Sequence, residues 1–288
     1  MLGLVFCCSL LKAQQIDLST TIKDKSGTGI PYASMVFRNT QLGTYADSVG
    51  KINLSFTKIK TDTLVISAIG YKDKIFNFND LPKIIILEDD IETLQVAEVN
   101  SRKKRTYQKS IGEKKRNFIK FRNSTMRGNK GVQYAFFLQN IEGKEGIIKN
   151  IYFNLDNDRK VKGTKIRVRL YSRASNKKSP DKDLVDKSIV VDVTSSGILK
   201  VDLEQYNIVF PIEGCFLGLD LLGNGNEKAG GLVYPHLLGY YPRESKNIFT
   251  EGIWSSFMGS KKWHQLPKIQ GIGKDLPYFG MDILYFKD

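Results

Sequence analysis

Clusters of turn residues divide the first hundred residues into short runs rich in β-branched and aromatic side chains. The turns at Asp24–Gly29, Asn39–Gly43 and Asp47–Gly50 recur about every ten residues. Apolar and polar residues alternate between turns, as they do from Ile16 to Ile22. Such alternation is typical of half-buried strands, and short strands with closely spaced turns favour a β-sandwich. The sequence therefore predicts a small β-sandwich over residues 14–100.

Residues 118–288 contain further short strand-like runs, without a convincing helical period. In the run from Lys165 to Tyr171, alternation predicts that the apolar side chains face a core, whereas Lys165, Arg167 and Arg169 face water or a ligand. About nine such runs in this half predict a larger, jelly-roll-like β-sandwich.

Four motifs follow one another in the first module: Gly29–Ser34 (GIPYAS), Gly43-Thr44, Asp47–Ile52 (DSVGKI) and Ile66–Tyr71 (ISAIGY), before a last strand-like run at Leu94–Val99. This order resembles the carboxypeptidase-regulatory-like domain of Bacteroidota envelope proteins. The same module precedes the plug of SusC-type TonB-dependent transporters in the periplasm.

The resemblance implies a transthyretin/Ig-like β-sandwich with a spacer or docking role, and the expected fold class is all-β, with this small sandwich followed by the larger jelly-roll-like one. Two features depart from the family pattern. The rest of the chain does not read as a transporter barrel, and Lys51-Ile52-Asn53 replaces the commoner glycine–x–aromatic motif.

The N-terminus has the pattern of a secretory signal peptide over residues 1–13. Leu2–Leu11 is an apolar stretch, and cleavage is expected after Ala13, although the usual basic residues before the stretch are missing. A lipoprotein anchor at Cys7 or Cys8 and a buried N-terminal strand are the alternatives. We therefore expect export to the periplasm, with association to the outer membrane as an open possibility.

Half of the net charge of +14 lies in the short segment 101–117, where eight basic residues and one acid give +7. This segment has almost no apolar residues and is predicted to be a solvated linker. Arg102, Lys103, Lys104 and Arg105 are the candidate contacts for an anionic partner, such as lipid head groups, lipopolysaccharide or an acidic protein face. Because export separates the chain from nucleic acid, no nucleic-acid partner is expected.

Residue types that carry catalysis are sparse. His236 and His264 lack metal-ligand spacing, so neither a metal nor a cofactor is expected. Cys215 reads as a buried strand residue. Asp156 and Asp158 have the spacing of part of a calcium loop, but a solvated turn is the simpler interpretation. An enzyme would need an acid pair drawn from residues such as Asp220, Glu227 and Glu251.

Aromatic residues cluster after residue 230 in a stretch that reads as loop-rich. The candidate ligand-binding residues are Trp254, Trp263, Tyr240, Tyr241 and Arg243, because exposed rings stack on sugar faces and a guanidinium adds charge. The alternatives are rings that close one end of the sandwich and a protein–protein interface.

Together these observations predict a non-enzymatic periplasmic binding or scaffold subunit of an outer-membrane transport, secretion or barrel-assembly complex. Its expected partner is an outer-membrane barrel protein or another component of the envelope complex. The alternative is a glycan-binding module for polysaccharide uptake or cell-wall attachment, with glycan or peptidoglycan as the partner.

Overall fold

A computed structural model describes most of the chain. The described residues are 15–40, 42–57, 63–90, 105–112, 124–156, 161–175, 178–224, 232–240, 252–258, 260, 262–266, 276–277 and 279–287. They form an all-β structure with no α-helix in these ranges, consisting of small N-terminal sheets and a larger domain of two curled antiparallel sheets. The expected signal peptide and the run Leu94–Val99 lie outside the described residues.

The N-terminal module contains seven described strands and one 3-10 turn. These are β1 (Gln15–Lys23), β2 (Ser34–Phe37), β3 (Gly43–Tyr45), β4 (Lys51–Thr57), β5 (Thr63–Ser67), β6 (Lys74–Asn77), the 3-10 turn Phe78–Asp80 and β7 (Ile84–Ile86). One sheet has the order β4-β1-β7 and the other the order β3-β2-β5-β6. Strands β1 and β7 are parallel, whereas the other pairs are antiparallel.

Alternation along the strands builds the core between these two sheets. In β4 the apolar residues Ile52, Leu54 and Phe56 are buried, and the polar residues between them are exposed. They lie opposite inward-facing residues of β1 in register. The predicted period-two pattern is therefore confirmed for both strands.

Gly50 shows why the turn motifs need glycine. It has a φ of +81°, and a Cβ built there would lie 2.4 Å from the Ile22 carbonyl oxygen. A side chain would therefore clash with the neighbouring backbone, in a conformation that residues other than glycine rarely adopt.

The larger domain contains fifteen described strands and a second 3-10 turn. These are β8 (Thr106–Gly112), β9 (Ser124–Asn129), β10 (Val132–Leu138), β11 (Gly146–Asp156), β12 (Lys165–Arg173), β13 (Pro180–Asp183), β14 (Ile189–Asp192), β15 (Gly197–Asp202), the 3-10 turn Glu204–Tyr206, β16 (Val209–Phe210), β17 (Cys215–Gly223), β18 (Leu232–Tyr240), β19 (Ile253–Phe257), β20 (His264–Gln265), β21 (Leu276–Pro277) and β22 (Phe279–Phe286).

These strands form two sheets that enclose one core. The first has the path β21-β18-β11-β22-β8, with β15 and β16 also pairing with β11, and β9 with β18. The second has the path β13-β12-β17-β10-β19-β20, with β14 also pairing with β12. Large rings fill the space between them, and the centroids of Phe136 and Phe279 lie 4.5 Å apart.

Strand β8 corrects the prediction of an unpacked linker over residues 101–117. Residues Thr106–Gly112 pair along their whole length with β22 at the edge of the first sheet. Ile111 is buried, and the ring of Tyr107 stacks on Tyr285 with 5.6 Å between centroids. The basic residue Lys109 forms an ion pair with Glu142. Because β22 and Glu142 are distant in sequence, the local composition did not indicate this strand.

Candidate functional site

The outer face of the second sheet, which points away from the core of the larger domain, is the candidate functional site. Arg167, Arg169 and Tyr171 alternate along β12 on this face, and they lie opposite Asp220, Gly218 and Phe216 of β17 in that order. Strands β10 and β19 extend the same rows. One end of the face packs against the N-terminal module, and the other end carries aromatic rings.

At the first end, Asp220 collects hydrogen-bond donors from three strands. Arg167 donates to its Oδ2 atom through Nε at 3.0 Å and Nη2 at 2.7 Å. Gln133 donates to the same oxygen at 3.3 Å, and Tyr45 of the N-terminal module donates to Oδ1 at 2.6 Å. The Asp220 side chain is 0% exposed and that of Arg167 is 4% exposed, so both charges of this ion pair are removed from water.

Arg167 also binds the N-terminal module directly. Its Nη1 atom donates to the Tyr32 carbonyl at 3.0 Å, and its guanidinium lies 5.2 Å from the centre of the Tyr45 ring. Tyr32 has a φ of 56°, in the left-handed region that a bulky residue seldom adopts. We call the group of Tyr45, Arg167 and Asp220, with the Tyr32 carbonyl, the junction.

Burial raises the pKa of Tyr45 well above its usual value, and the negative charge of Asp220 adds to this effect. The hydroxyl therefore keeps its proton at neutral pH and acts as a donor. The junction is a neutral-phenol, carboxylate and guanidinium network in which each group has an identified partner. Its chemistry is suited to holding two modules together.

An apolar cluster surrounds the junction and completes this interface. Tyr45, Leu222 and Met258 are buried together, with Val36 of β2 packed against them. Gly43 allows the close approach, because a Cβ at this position would lie 2.8 Å from the Met258 sulfur. The contact between the modules therefore combines a charged centre with tight apolar packing.

Arg169 lies next to the junction and forms a second ion pair. Its Nε and Nη2 atoms donate to the two carboxylate oxygens of Asp183, at 2.8 and 2.6 Å. Burial alone would lower the pKa of Arg169, but Asp183, together with Tyr171 and Asp220, outweighs burial and the pKa is raised. The prediction that Arg167 and Arg169 face water or a ligand is therefore wrong, because each is bound to a carboxylate of this chain.

At the other end, six residues form what we call the aromatic face. Ala135, Phe137, Tyr171 and Phe216 are buried, and the half-buried Trp254 and Trp263 pack on them. Trp263 directly precedes β20 and meets Tyr171 edge to face with centroids 5.1 Å apart, although β12 lies four positions from β20 in the sheet. The indole of Trp263 therefore lies across the sheet.

The aromatic face brings together only part of the predicted ligand-binding set. Trp254 lies in strand β19 rather than in the predicted loop-rich stretch. Tyr240 is the last residue of β18, and Tyr241 and Arg243 lie outside the described residues. A cation that the prediction did not include, Arg173, has its guanidinium 5.2 Å from the centre of the Phe137 ring.

Among the candidate contacts for an anionic partner, only Arg105 lies within the described residues. It is exposed, and its carbonyl accepts a hydrogen bond from the Lys287 amide at 2.8 Å. Arg102, Lys103 and Lys104 lie outside the described residues, so their proposed role remains a prediction.

Among the acids considered for catalysis, the structure describes Asp220 alone. That carboxylate is neutralised by Arg167 and buried, whereas Glu227 and Glu251 lie outside the described residues. Among the residues that the structure describes, no group of three or more His, Cys, Asp or Glu side chains is placed to hold a metal ion. Asp158 of the considered calcium loop is also outside these ranges.

Cys215 is fully buried in strand β17, as predicted from its apolar surroundings. Burial raises the pKa of its thiol, which keeps it protonated and unreactive at neutral pH.

Sequence reasoning missed the pairing of Tyr45 with Asp220, which are 175 residues apart. One signal was present: Asp220 is a lone acid inside the apolar run from Cys215 to Leu222. A buried strand tolerates such a charge only when a partner neutralises it, so the run itself implied an unseen cation.

Comparison of the chain with protein-family models and with curated proteins returned no match. Within the described ranges, no helix has both the length and the apolar character needed to cross a membrane.

Proposed function

We propose that this chain is a non-enzymatic binding or scaffold subunit of the bacterial periplasm, associated with an outer-membrane transport, secretion or barrel-assembly complex. In this proposal the N-terminal module is a carboxypeptidase-regulatory-like sandwich of the transthyretin/Ig-like type, and the larger domain is a jelly-roll-like sandwich. Their joint surface binds an outer-membrane barrel protein or another component of the envelope complex.

The observation that carries the proposal is the junction. A spacer module needs only a flexible connection to its neighbour, but here Tyr45 and Tyr32 are tied to Arg167 and Asp220 in a buried network. Separating the modules would break the Tyr45–Asp220 and Arg167–Tyr32 hydrogen bonds and expose the apolar cluster around Tyr45 and Met258 to water, so the two modules keep one relative orientation. A fixed orientation is what a scaffold needs in order to present two surfaces to a partner at a defined angle.

The resemblance of the first module supplies the location. Carboxypeptidase-regulatory-like modules stand beside outer-membrane barrels in the periplasm, and residues 1–13 have the pattern of an export signal. In this proposal the chain combines a module of that type with a second β domain.

Affinity isolation of the tagged mature chain from gently solubilised envelopes of its own organism tests the proposal. Mass spectrometry is expected to find an outer-membrane barrel protein in stoichiometric amount. Recovery of the bait alone, both with and without chemical crosslinking, would contradict it.

A second candidate function, glycan binding, is favoured by the half-buried indoles of Trp254 and Trp263. They lie side by side with Tyr171 on one sheet face, and planar rings of this kind stack on sugars. Retention of the pure chain on insoluble peptidoglycan, lost in Trp254→Ala or Trp263→Ala but kept in the control Tyr206→Ala, would support it. Equal retention of all four proteins, or none, would argue against it.

A further inference from the structure

Strand β6 is an edge of the N-terminal module that no other described strand covers. The sheet order β3-β2-β5-β6 places β3 at the junction and β6 at the opposite edge. On its outer side, every second residue of an antiparallel edge strand turns its N–H and C=O groups away from the sheet. Four residues, Lys74–Asn77, form this edge, and the strand contains no proline that would block pairing.

An apolar row leads from the junction to this edge. Val36 lies opposite Val65, and Val65 lies opposite Ile75, so the three side chains are direct neighbours across β2, β5 and β6. Val36 packs in the cluster at the junction, Val65 is half-buried, and Ile75 is 56% exposed. The row is therefore continuous with an interface that the chain already forms, and it spans roughly 10 Å.

The other sheet of the module has two edges, β4 and β7, and both differ from β6 in their surroundings. The exposed side chains of β4 are all polar: Lys51, Asn53, Ser55 and Thr57. Ile84 and Ile86 of β7 are also exposed, but their neighbours on β1 are Thr21 and Lys23. Among the described residues, no apolar row connects them with the junction. The combination of a backbone edge that no described strand covers and a continuous apolar surface therefore occurs at β6.

We propose that the edge of β6, together with the row Val36–Val65–Ile75, binds an extended segment of a partner protein by strand addition. The partner segment supplies backbone hydrogen bonds to β6 and places alternate apolar side chains beside Ile75. This proposal rests on the proposed binding function and names the surface that performs it.

A partner strand fits this surface better than a second copy of the chain. Pairing of β6 with its own copy would align only four residues on each side, and stable interfaces bury about 800 Å² per partner. A longer partner segment can extend beyond β6 at both ends, and its apolar side chain beside Ile75 continues the row. The N–H and C=O groups at the edge match another extended backbone, because such a backbone offers complementary groups at the same spacing.

A fluorescent synthetic peptide of about eight residues, in which valine alternates with threonine, is the probe for this surface. Fluorescence anisotropy should show saturable binding to the mature chain, and Ile75→Lys should weaken the affinity at least about tenfold because an exposed apolar contact is lost. Ile75→Thr, which keeps a β-branched side chain, should give a smaller loss. The matched control is Ile198→Lys, which replaces an equally accessible isoleucine (51% exposed) on β15 and should bind the peptide as the wild type does.

Hydrogen exchange locates the contact. Bound peptide should slow exchange of the amides in residues 74–77, and unchanged exchange there would overturn the proposal, as would protection of residues 84–86 instead. Absence of peptide binding, or equal binding by Ile75→Lys, would overturn it too. Self-association of the pure chain that Ile75→Lys abolishes would assign the edge to a second copy and would also refute a partner strand.

The failure of this proposal can be distinguished from failure of the proposed function. If envelopes yield a barrel protein equally with the wild type and with Ile75→Lys, only the strand-addition site is wrong. If the wild type recovers no partner from envelopes, the scaffold function itself fails, whatever the peptide does.

Discussion

Replacing Arg167 by methionine is the sharpest test of the junction. The substitution keeps most of the apolar stem but removes the guanidinium that donates twice to Asp220 and once to the Tyr32 carbonyl. A carboxylate that is 0% exposed would then retain only Tyr45 and Gln133 as donors. Removing one partner of a buried ion pair lowers the free energy of unfolding by about 3–5 kcal/mol. Because two donors to Asp220 remain, we expect a loss of about 3 kcal/mol.

Lys165→Met is the matched control, because Lys165 lies two residues earlier on the same face of β12. Its ion pair with Asp192 is accessible, with side chains 31% and 64% exposed, so its loss should cost at most about 1 kcal/mol. Urea unfolding followed by tryptophan fluorescence measures the free energy of unfolding of both variants. The signal comes from the larger domain, since Trp254 and Trp263 are the only tryptophans in the sequence. If Arg167→Met costs no more than Lys165→Met, the junction does not stabilise the molecule as we argue.

Three further predictions concern the same face and core. Burial raises the pKa of Tyr45 and Tyr171, so above about pH 10 the folded state keeps protons that the unfolded state loses, and the free energy of unfolding should fall as the pH rises. Tyr45→Phe should make this fall less steep by about 1.4 kcal/mol per pH unit. An unchanged dependence on pH in urea unfolding would refute this. Native Cys215 should react with a thiol reagent only at the rate of unfolding, and rapid labelling in buffer would contradict its burial. Gly218→Val should destabilise the chain by at least about 1–3 kcal/mol, because its Cβ would lie 2.7 Å from the Tyr171 ring; a thermal midpoint equal to that of the wild type would show that the ring moves aside freely.

Local patterns were sufficient for the strands that alternate cleanly. Strands β1 and β4, and the run around Ile166 in β12, could be predicted because one face of each packs on a core. Their apolar and polar residues therefore alternate along the sequence. Glycine-rich turns indicated where strands of the first module end for a similar reason, since Gly50 has a backbone conformation that few other residues adopt.

The second face of a strand was harder to predict, because its environment depends on distant parts of the chain. Arg167 and Arg169 alternate with core residues and read as solvent-facing, yet Asp220 and Asp183 neutralise them. Strand β8 was mistaken for a linker for the same reason. Polar residues that are paired across a fold have the same local composition as polar residues in water.

Affinity isolation of wild-type and Arg167→Met chains from envelopes tests whether the two modules act as one rigid scaffold on an envelope partner. We expect a stoichiometric outer-membrane barrel protein with the wild type and a clear reduction with Arg167→Met, at a temperature where both chains remain folded. Recovery of the wild-type bait alone would contradict the scaffold function. Equal recovery of the partner by both chains would contradict the role of the junction in holding the modules for binding.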